Sequence, residues 1–242
     1  MPETLTPGWQ APPNVRAVCT TRRGGFSEGP HASLNLGSHV QDDAEAVQRN
    51  RAHLRQALAL PEEPCWLNQT HGTGVVEAIP SERPPEADAA FSRTPGQVCA
   101  ILTADCLPIL LCNRTGTTVL AIHAGWRGLL DGIIPHCLQT LAEDPAAWMA
   151  WIGPGISQAA YTVGPDLAAR FIAREPRWSR HFITTTQGTC ADLPGIAAEQ
   201  LMAAGIYNIT RYAGCTAAEH ERFFSYRRDG LTGRFASLIW LT

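Results

Sequence analysis

The sequence, 242 residues long, lacks several features that mark particular classes of protein. No apolar run approaches the roughly 20 residues of a membrane-spanning helix, so we predict no membrane association. Residues 1–7 have neither a basic start nor an apolar stretch, so we predict no secretory signal and a cytoplasmic location. Basic residues cluster only in pairs such as Arg22-Arg23 and form no stripe, which argues against nucleic acid as a partner.

Paired cysteine motifs are absent as well. The chain has eight cysteines but no Cys-x-x-Cys pair, and in a cytoplasmic protein we expect most of them to be reduced and buried. The formal net charge of -3 is small. A small anion such as phosphate needs only one or two arginines, so phosphate stays a candidate partner. The sequence does not distinguish a monomer from a homodimer.

The composition is that of a globular protein, with 45% hydrophobic and 17% charged residues. Its length suits one large domain or two tightly fused halves. Residues 1–14 are rich in proline and predict an extended N-terminal arm. Residues 80–88 combine prolines with charges and predict a loop, which is the only candidate for an internal linker.

Hydrophobic patterning predicts strands interleaved with helices. Predicted strands cover residues 15–21, 98–103, 107–112, 118–124, 147–152, 207–212 and 234–241. Predicted helices cover residues 44–60, 128–142, 166–174 and 194–204. Several strands are joined too closely for crossover helices, which predicts an α/β mixed (α+β) fold rather than a doubly wound parallel sheet.

Three short segments carry residues suited to chemistry: Asn68-Gln69-Thr70-His71-Gly72, Thr103-Ala104-Asp105-Cys106-Leu107-Pro108 and His123-Ala124-Gly125-Trp126-Arg127-Gly128. Each places one potential metal ligand, His71, Cys106 or His123, in a loop or at a predicted strand end. If the strands lie side by side in one sheet, these ends converge. Two imidazoles and a thiolate suit zinc, with copper as the second choice. Three protein ligands leave a fourth position for water, as in catalytic zinc sites.

The same residues also support chemistry without a metal. Cys106 is then a nucleophile, His123 or His71 is its base, and Asp105 orients that base. Residue types alone do not separate the two hypotheses.

Three arginines are candidates for binding an anion. Arg127 lies in a Gly-containing turn before a predicted helix, where backbone N–H groups favour anions. Arg227 and Arg228 follow aromatic residues and suit phosphate or a nucleobase. For Arg127 a plain strand-to-helix turn is the favoured interpretation, whereas for Arg227 and Arg228 a surface turn and an anion site are equally compatible with the residues.

Seven segments in order give the chain a family resemblance: Thr20-Thr21-Arg22-x-Gly24-Gly25, Ser33-Leu34-Asn35-Leu36-Gly37, Gln69-Thr70-His71-Gly72, Thr103-Ala104-Asp105-Cys106-Leu107-Pro108, His123-Ala124-Gly125-Trp126-Arg127-Gly128, Gly153-Pro154-Gly155-Ile156 and Phe224-Ser225-Tyr226-Arg227-Arg228-Asp229. Together they resemble the YfiH family, whose members are described as polyphenol oxidase or laccase-domain proteins and as purine nucleoside phosphorylases. The resemblance covers about residues 15–241.

The resemblance implies a metal site, a fold and a set of activities. The family's zinc ligands fall on His71, Cys106 and His123. The implied fold has mixed sheets packed between helices, in a single domain over residues 1–242. The implied reactions are phosphorolysis of adenosine, inosine and methylthioadenosine, and deamination of adenosine. A role in editing peptidoglycan precursors is also implied.

Roles for further residues follow from the implied reactions. Arg127, Arg227 and Arg228 are candidates for holding phosphate. Asp105 would support the Cys106 ligand or carry a proton. Asn35 and Gln69 are predicted to donate or accept hydrogen bonds at the base or the ribose.

The laccase description conflicts with the histidine pattern. A trinuclear copper cluster needs paired His-x-His segments, and no two of the eight histidines are separated by one residue. A single His2Cys site binds copper where copper is abundant, but we rank nucleoside chemistry above phenol oxidation. Two alternatives stay open: a cysteine hydrolase acting on an amide of cell-wall precursors, and a metal-dependent binding protein without turnover.

Overall fold

A computed structural model describes residues 1–79, 81 and 83–242. The strands are β1 (Thr4–Leu5), β2 (Val15–Thr20), β3 (Val75–Glu77), β4 (Ala89–Ser92), β5 (Val98–Thr103), β6 (Leu107–Asn113), β7 (Val119–Ala124), β8 (Trp148–Ile152), β9 (Thr162–Val163), β10 (Phe182–Thr185), β11 (Gly188–Ala191), β12 (Asn208–Arg211) and β13 (Phe235–Leu241). The α-helices are α1 (Ala44–Ala57), α2 (Trp126–Asp131), α3 (Ile133–Leu141), α4 (Pro165–Arg174), α5 (Leu193–Ala203) and α6 (Tyr226–Asp229).

The strands form three sheets. A four-stranded antiparallel sheet has the order β1-β2-β13-β5, and a small sheet has the order β10-β11-β9. The six-stranded sheet has the order β12-β8-β6-β7-β4-β3. Its outer pairs, β12 with β8 and β3 with β4, are parallel, while its inner pairs are antiparallel. This is the predicted α/β mixed (α+β) fold.

The two larger sheets pack face to face, and helices cover their outer faces. Ile101 of β5 and Leu110 of β6 belong to one cluster between the sheets. Leu54 of α1 packs with Leu238 on the outer face of the four-stranded sheet. α3 and α5 pack on the outer face of the six-stranded sheet through residues such as Ile134. Strands in the middle of this stack are buried on both faces, which explains their continuous apolar runs.

The helix predicted over residues 128–142 is two helices. Gly132 adopts φ +89°, ends α2 and precedes α3. Such a left-handed conformation suits glycine and breaks the helix there. Pro135 falls in the first turn of α3, where its missing N–H breaks no helical hydrogen bond.

The strands that adjoin the three predicted ligands, β3, β6 and β7, lie in one sheet as expected, whereas β5, which leads into the Cys106 loop, does not. β5 belongs to the four-stranded sheet, whereas β6 and β7 belong to the six-stranded sheet. The chain crosses between the sheets at Ala104-Asp105-Cys106, where Asp105 takes a left-handed φ of 88°. The loop that carries Cys106 is therefore the crossing between the two sheets.

The N-terminal arm and the proline-rich loop are more closely integrated than their composition predicts. β1 lies within the predicted arm and pairs with β2. In the predicted loop over residues 80–88, Pro80 and Glu82 lie outside the described residues, and Asp88 at its end is fully buried. Among the described residues, no helix has both the length and the apolar character needed to cross a bilayer.

Candidate metal centre and active site

Three side chains from different parts of the chain converge at one end of the strands of the six-stranded sheet. His71 comes from the loop before β3, Cys106 directly precedes β6, and His123 lies near the end of β7. Their ligand atoms all lie within 4.8 Å of one another. The two imidazole rings meet edge to face, with 4.8 Å between centroids. The structure thus brings together the three residues predicted as metal ligands, in an arrangement that can hold one metal ion.

Gly125 keeps the space beside this cluster free. It precedes α2, and a Cβ atom at this position would lie 3.0 Å from Sγ of Cys106 and 3.1 Å from Cδ2 of His71. Any larger residue would press on two of the three ligands. The glycine in the segment His123-Ala124-Gly125 is therefore explained by its close approach to the ligands.

Asp88 organises both histidines, and the sequence analysis did not identify it. Its Oδ1 accepts hydrogen bonds from Nδ1 of His123 at 2.7 Å and from the backbone N–H of His71 at 2.9 Å. Its Oδ2 accepts from the backbone N–H groups of Gly72 at 2.7 Å and Thr70 at 3.1 Å, and from the Thr70 hydroxyl at 3.1 Å. With Nδ1 of His123 bound to a carboxylate, Nε2 is the nitrogen left for a metal.

The charges within the cluster shift three pKa values. Burial alone would raise the pKa of Cys106, but His123 and His71 lower it to about 6. Burial alone would lower the pKa of His123, but the Cys106 thiolate and Asp88 raise it to about 9. Burial opposes ionisation of Asp88 as well, yet the hydrogen bond from His123 holds its pKa below the ordinary value. Without a metal, Cys106 and His123 therefore form a thiolate–imidazolium pair at neutral pH.

This ionised pair suits either hypothesis drawn from the sequence. A thiolate is the form that binds a metal, and it is also the form that attacks an electrophile. The site contains two imidazoles and one thiolate, and Asp88 accepts hydrogen bonds from the ring of His123 and from the backbone N–H of His71. A nucleophile–base pair needs only one histidine, so this arrangement fits a metal site better.

Asp105 positions the neighbouring chain segment. Its Oδ1 accepts a hydrogen bond from the Thr216 hydroxyl at 2.6 Å. Its Oδ2 accepts from the Ser225 hydroxyl at 3.0 Å and from the backbone N–H of Arg227 at 2.7 Å. Both carboxylate oxygens are thus bound within the protein. This arrangement ties the start of α6 to the loop that carries Cys106.

The three predicted phosphate-binding arginines differ in their surroundings. All five N–H groups of Arg228 donate within the protein, to three backbone carbonyls and to Asp229. Arg228 therefore closes a turn and has no donor left for an anion. Arg227 is exposed, donates from Nη1 to the carbonyl of Thr162 and stacks on Tyr161, 4.7 Å from the ring centroid. Arg127 is exposed and stacks on Trp126 at 4.4 Å.

The two predicted substrate-contacting amides are engaged inside the protein. Asn35 is fully buried, and its amide makes four hydrogen bonds, to the backbone of Gly37, to Asp42 and to the backbone N–H of Arg234. It has no free group for a substrate in this conformation. Gln69 exchanges two hydrogen bonds of 2.8 Å with the backbone of Leu102, which fastens the loop of His71 to β5.

Tyr161 is a further residue near the metal centre that the sequence analysis did not identify. Burial and the Cys106 thiolate raise the pKa of Tyr161 to about 12, whereas the charges of Arg227 and Arg127 lower it. The charges of Cys106, Arg227 and Arg127 thus all act on Tyr161, and Arg227 contacts its ring. No local motif marks it, because it follows a short 3-10 helix and precedes the two-residue strand β9.

Comparisons with a family model and with known proteins point to the same family. The family model described as "Multi-copper polyphenol oxidoreductase laccase" matches residues 16–242. The purine nucleoside phosphorylase YfiH of Escherichia coli is 44% identical over 245 residues, which is 100% of both chains. The purine nucleoside phosphorylase PA4543 of Pseudomonas aeruginosa is 45% identical over 239 residues, which is 98% of both chains.

Solved structures agree with this assignment. The crystal structure of protein NMB0706 of Neisseria meningitidis has a TM-score of 0.94 and 45% identity, and the match covers 98% of both chains. YlmD of Geobacillus stearothermophilus has a TM-score of 0.86 and 32% identity, and covers 95% of this chain and 92% of its own. These matches extend over nearly the whole length of the chain.

Proposed function

Because the chain belongs to the YfiH family, we propose that it is a zinc-dependent purine nucleoside phosphorylase with its active centre at His71, Cys106 and His123. The proposed substrates are adenosine, inosine and methylthioadenosine together with phosphate, and deamination of adenosine is a proposed second activity. The observation that carries the proposal is the convergence of these three ligands, braced by Asp88, in a chain whose relatives are named purine nucleoside phosphorylases.

Zinc fits this donor set better than a copper cluster. Two imidazoles and one thiolate are a common set for zinc, and they bind a single ion. Among the described residues, His71, Cys106 and His123 are the only group of three or more His, Cys, Asp or Glu side chains close enough to hold a metal. A multicopper oxidase needs further copper sites, so copper at this centre would support at most incidental oxidase activity.

The chain's own residues supply the rest of the proposed chemistry. When bound, the metal provides Lewis-acid activation of an oxygen atom of water or substrate. Asp88 keeps His123 in one tautomer and, through the backbone of His71, positions the second imidazole. Asp105 positions Arg227 through its backbone, and Arg227 and Arg127 are exposed cations whose charges both act on Tyr161. That charge suits the phosphate co-substrate.

A cysteine hydrolase editing peptidoglycan precursors is the second candidate. Its supporting observation is the pKa of Cys106, lowered to about 6, because this provides a thiolate without a metal. This enzyme would keep its turnover after complete removal of zinc and lose it on alkylation of Cys106.

We further propose a cytoplasmic location, because the proposed substrates and eight free thiols suit the cell interior. We propose that the chain is a single domain and is either monomeric or homodimeric.

The test is incubation of zinc-loaded protein with adenosine or inosine, with and without phosphate, followed by mass spectrometry of the products. The proposal predicts free base and ribose 1-phosphate only with phosphate, and inosine from adenosine without it. A Cys106→Ala variant purified in parallel controls for contaminating host enzymes. Equal turnover by both preparations, or none by the zinc-loaded protein, would contradict the proposal.

A further inference from the structure

Arg234 lies beside the metal centre although no local motif marks it. It directly precedes β13, whose first residue, Phe235, pairs with Thr103 at the end of β5. Beyond Thr103 the chain continues as Ala104-Asp105-Cys106. In this antiparallel register Arg234 therefore faces the short segment that carries the thiolate ligand.

The surrounding chain fixes the position of Arg234 from two sides. Its Nη1 donates hydrogen bonds of 2.9 Å to the carbonyls of Thr232 and Gly233. Its backbone N–H donates to Oδ1 of Asn35 at 2.8 Å, and its carbonyl accepts from the backbone N–H of Leu36 at 3.0 Å. The buried amide of Asn35 thereby holds Arg234 in place.

Part of the guanidinium group remains without a partner. Within residues 1–79, 81 and 83–242, neither Nε nor Nη2 of Arg234 donates a hydrogen bond, and no carboxylate lies within ion-pairing distance. The side chain is half-buried. A half-buried cation with a free donor edge contrasts with Arg228, whose five N–H groups are all bound. Such an edge matches the oxygens of a carboxylate or phosphate.

The charge of Arg234 interacts with charged groups of the metal-ligand segment and with His39. Burial lowers the pKa of Arg234, and the negative charges of Cys106 and Asp105 act in the opposite direction. Partial desolvation lowers the pKa of His39, and so do the positive charges of Arg234, Arg51 and the two ligand histidines. A metal ion would neutralise the Cys106 thiolate and make this region more positive.

We propose that Arg234 binds the phosphate co-substrate through its Nε–Nη2 edge, next to the metal centre. The identity of the anion as a co-substrate rests on the proposed function, whereas the anion site itself rests on the placement and free donors of Arg234. Asn35 contributes as a positioning residue, because it holds Arg234 and is itself buried.

Steady-state kinetics of Arg234→Gln, Arg234→Lys and a control, Arg55→Gln on the exposed face of α1, test this assignment. Loss of charge-assisted hydrogen bonds predicts a rise of about 10- to 150-fold in KM for phosphate for Arg234→Gln. KM for inosine should stay within about threefold, Arg234→Lys should recover part of the loss, and Arg55→Gln should match the wild type. An unchanged KM for phosphate, or equal rises in both KM values, would overturn the assignment.

Thermal unfolding in the presence of inorganic phosphate separates this inference from the proposed function. If the wild type turns over no nucleoside, the proposed function fails, but phosphate should still raise its Tm and should raise that of Arg234→Gln less. Equal stabilisation of both, or none of the wild type, would overturn the anion site. If Arg234→Gln does not fold, the same comparisons with Arg234→Lys decide, because its ammonium cannot reproduce the planar donor edge.

Discussion

Replacing Asp88 by Asn should weaken metal binding more than any other substitution that leaves the three ligands intact. Asp88 is fully buried and accepts five hydrogen bonds, two at Oδ1 and three at Oδ2. An asparagine has the same shape, but its NH2 group must replace one of the two oxygens. If it replaces Oδ1, it meets the donors of His123 and His71. If it replaces Oδ2, it meets Gly72 and Thr70.

The magnitude follows from this geometry. At least two hydrogen bonds to a charged acceptor are lost in either orientation, at about 1.5 to 3 kcal/mol each. The free energy of unfolding should therefore fall by about 3 to 6 kcal/mol in the metal-free protein. In the first orientation both histidine ligands lose their acceptor, and in the second the loop of His71 loses its hydrogen bonds at Thr70 and Gly72. In either case a ligand is less well positioned, so the metal Kd should rise by about 10- to 100-fold.

Competition with a chelating indicator measures the metal Kd, and denaturant unfolding of the metal-free protein measures stability. Asp131→Asn removes an exposed carboxylate on α2 and serves as the matched control, with no expected change in either quantity. A metal Kd for Asp88→Asn within twofold of the wild type would refute the role assigned to Asp88, even if the variant were less stable.

Further predictions concern ionisation, space and fold. Alkylation of Cys106 in the metal-free protein should reach half its maximal rate near pH 6, and a midpoint near the ordinary 9.0 would contradict the ionised pair. Because the pKa of Asp88 is lowered, its stabilising contribution is complete above the ordinary 3.8 and is lost as pH falls through the folded-state value, so the stability difference between wild type and Asp88→Asn should shrink in acid. Gly125→Ala should weaken metal binding measured by chelator competition, since its Cβ would lie 3.0 Å from Sγ of Cys106, and unchanged affinity would show that the ligands adjust freely. Arg228→Ala should lower the unfolding free energy by about 2 to 4 kcal/mol without raising KM for phosphate. Unchanged stability with a raised KM for phosphate would instead indicate that Arg228 binds the anion.

The sequence predicts the central strands well because they are buried on both faces. β5, β6 and β8 appear as continuous apolar runs, and their observed bounds differ from the predicted ones by at most a residue. The edge strand β3 and its neighbour β4 are short and have too few residues for a periodic signal. The assignment of β5 to a different sheet from β6 depends on the turn at Asp105 and on long-range pairing with β13.

The cluster of His71, Cys106 and His123 can be predicted from the sequence because each residue lies in a recognisable motif. The residues that position these three side chains cannot be predicted in this way. Asp88 follows a segment rich in proline and charge, where an acidic residue normally indicates a surface loop. Its burial depends on donors up to 35 residues away. Arg234 and Tyr161 join the site only through sheet register and packing. Conversely, Arg228 and Asn35 have side chains suited to substrate binding, but nearby backbone groups occupy them.

The most direct test of the metal-centred nucleoside chemistry is reconstitution of the metal-stripped protein. Inosine phosphorolysis would be measured after adding one equivalent of zinc or copper, in the wild type and in Cys106→Ala. Zinc should restore phosphate-dependent turnover in the wild type and not in Cys106→Ala. Full turnover by the stripped protein, with the metal confirmed absent by mass spectrometry, would contradict it.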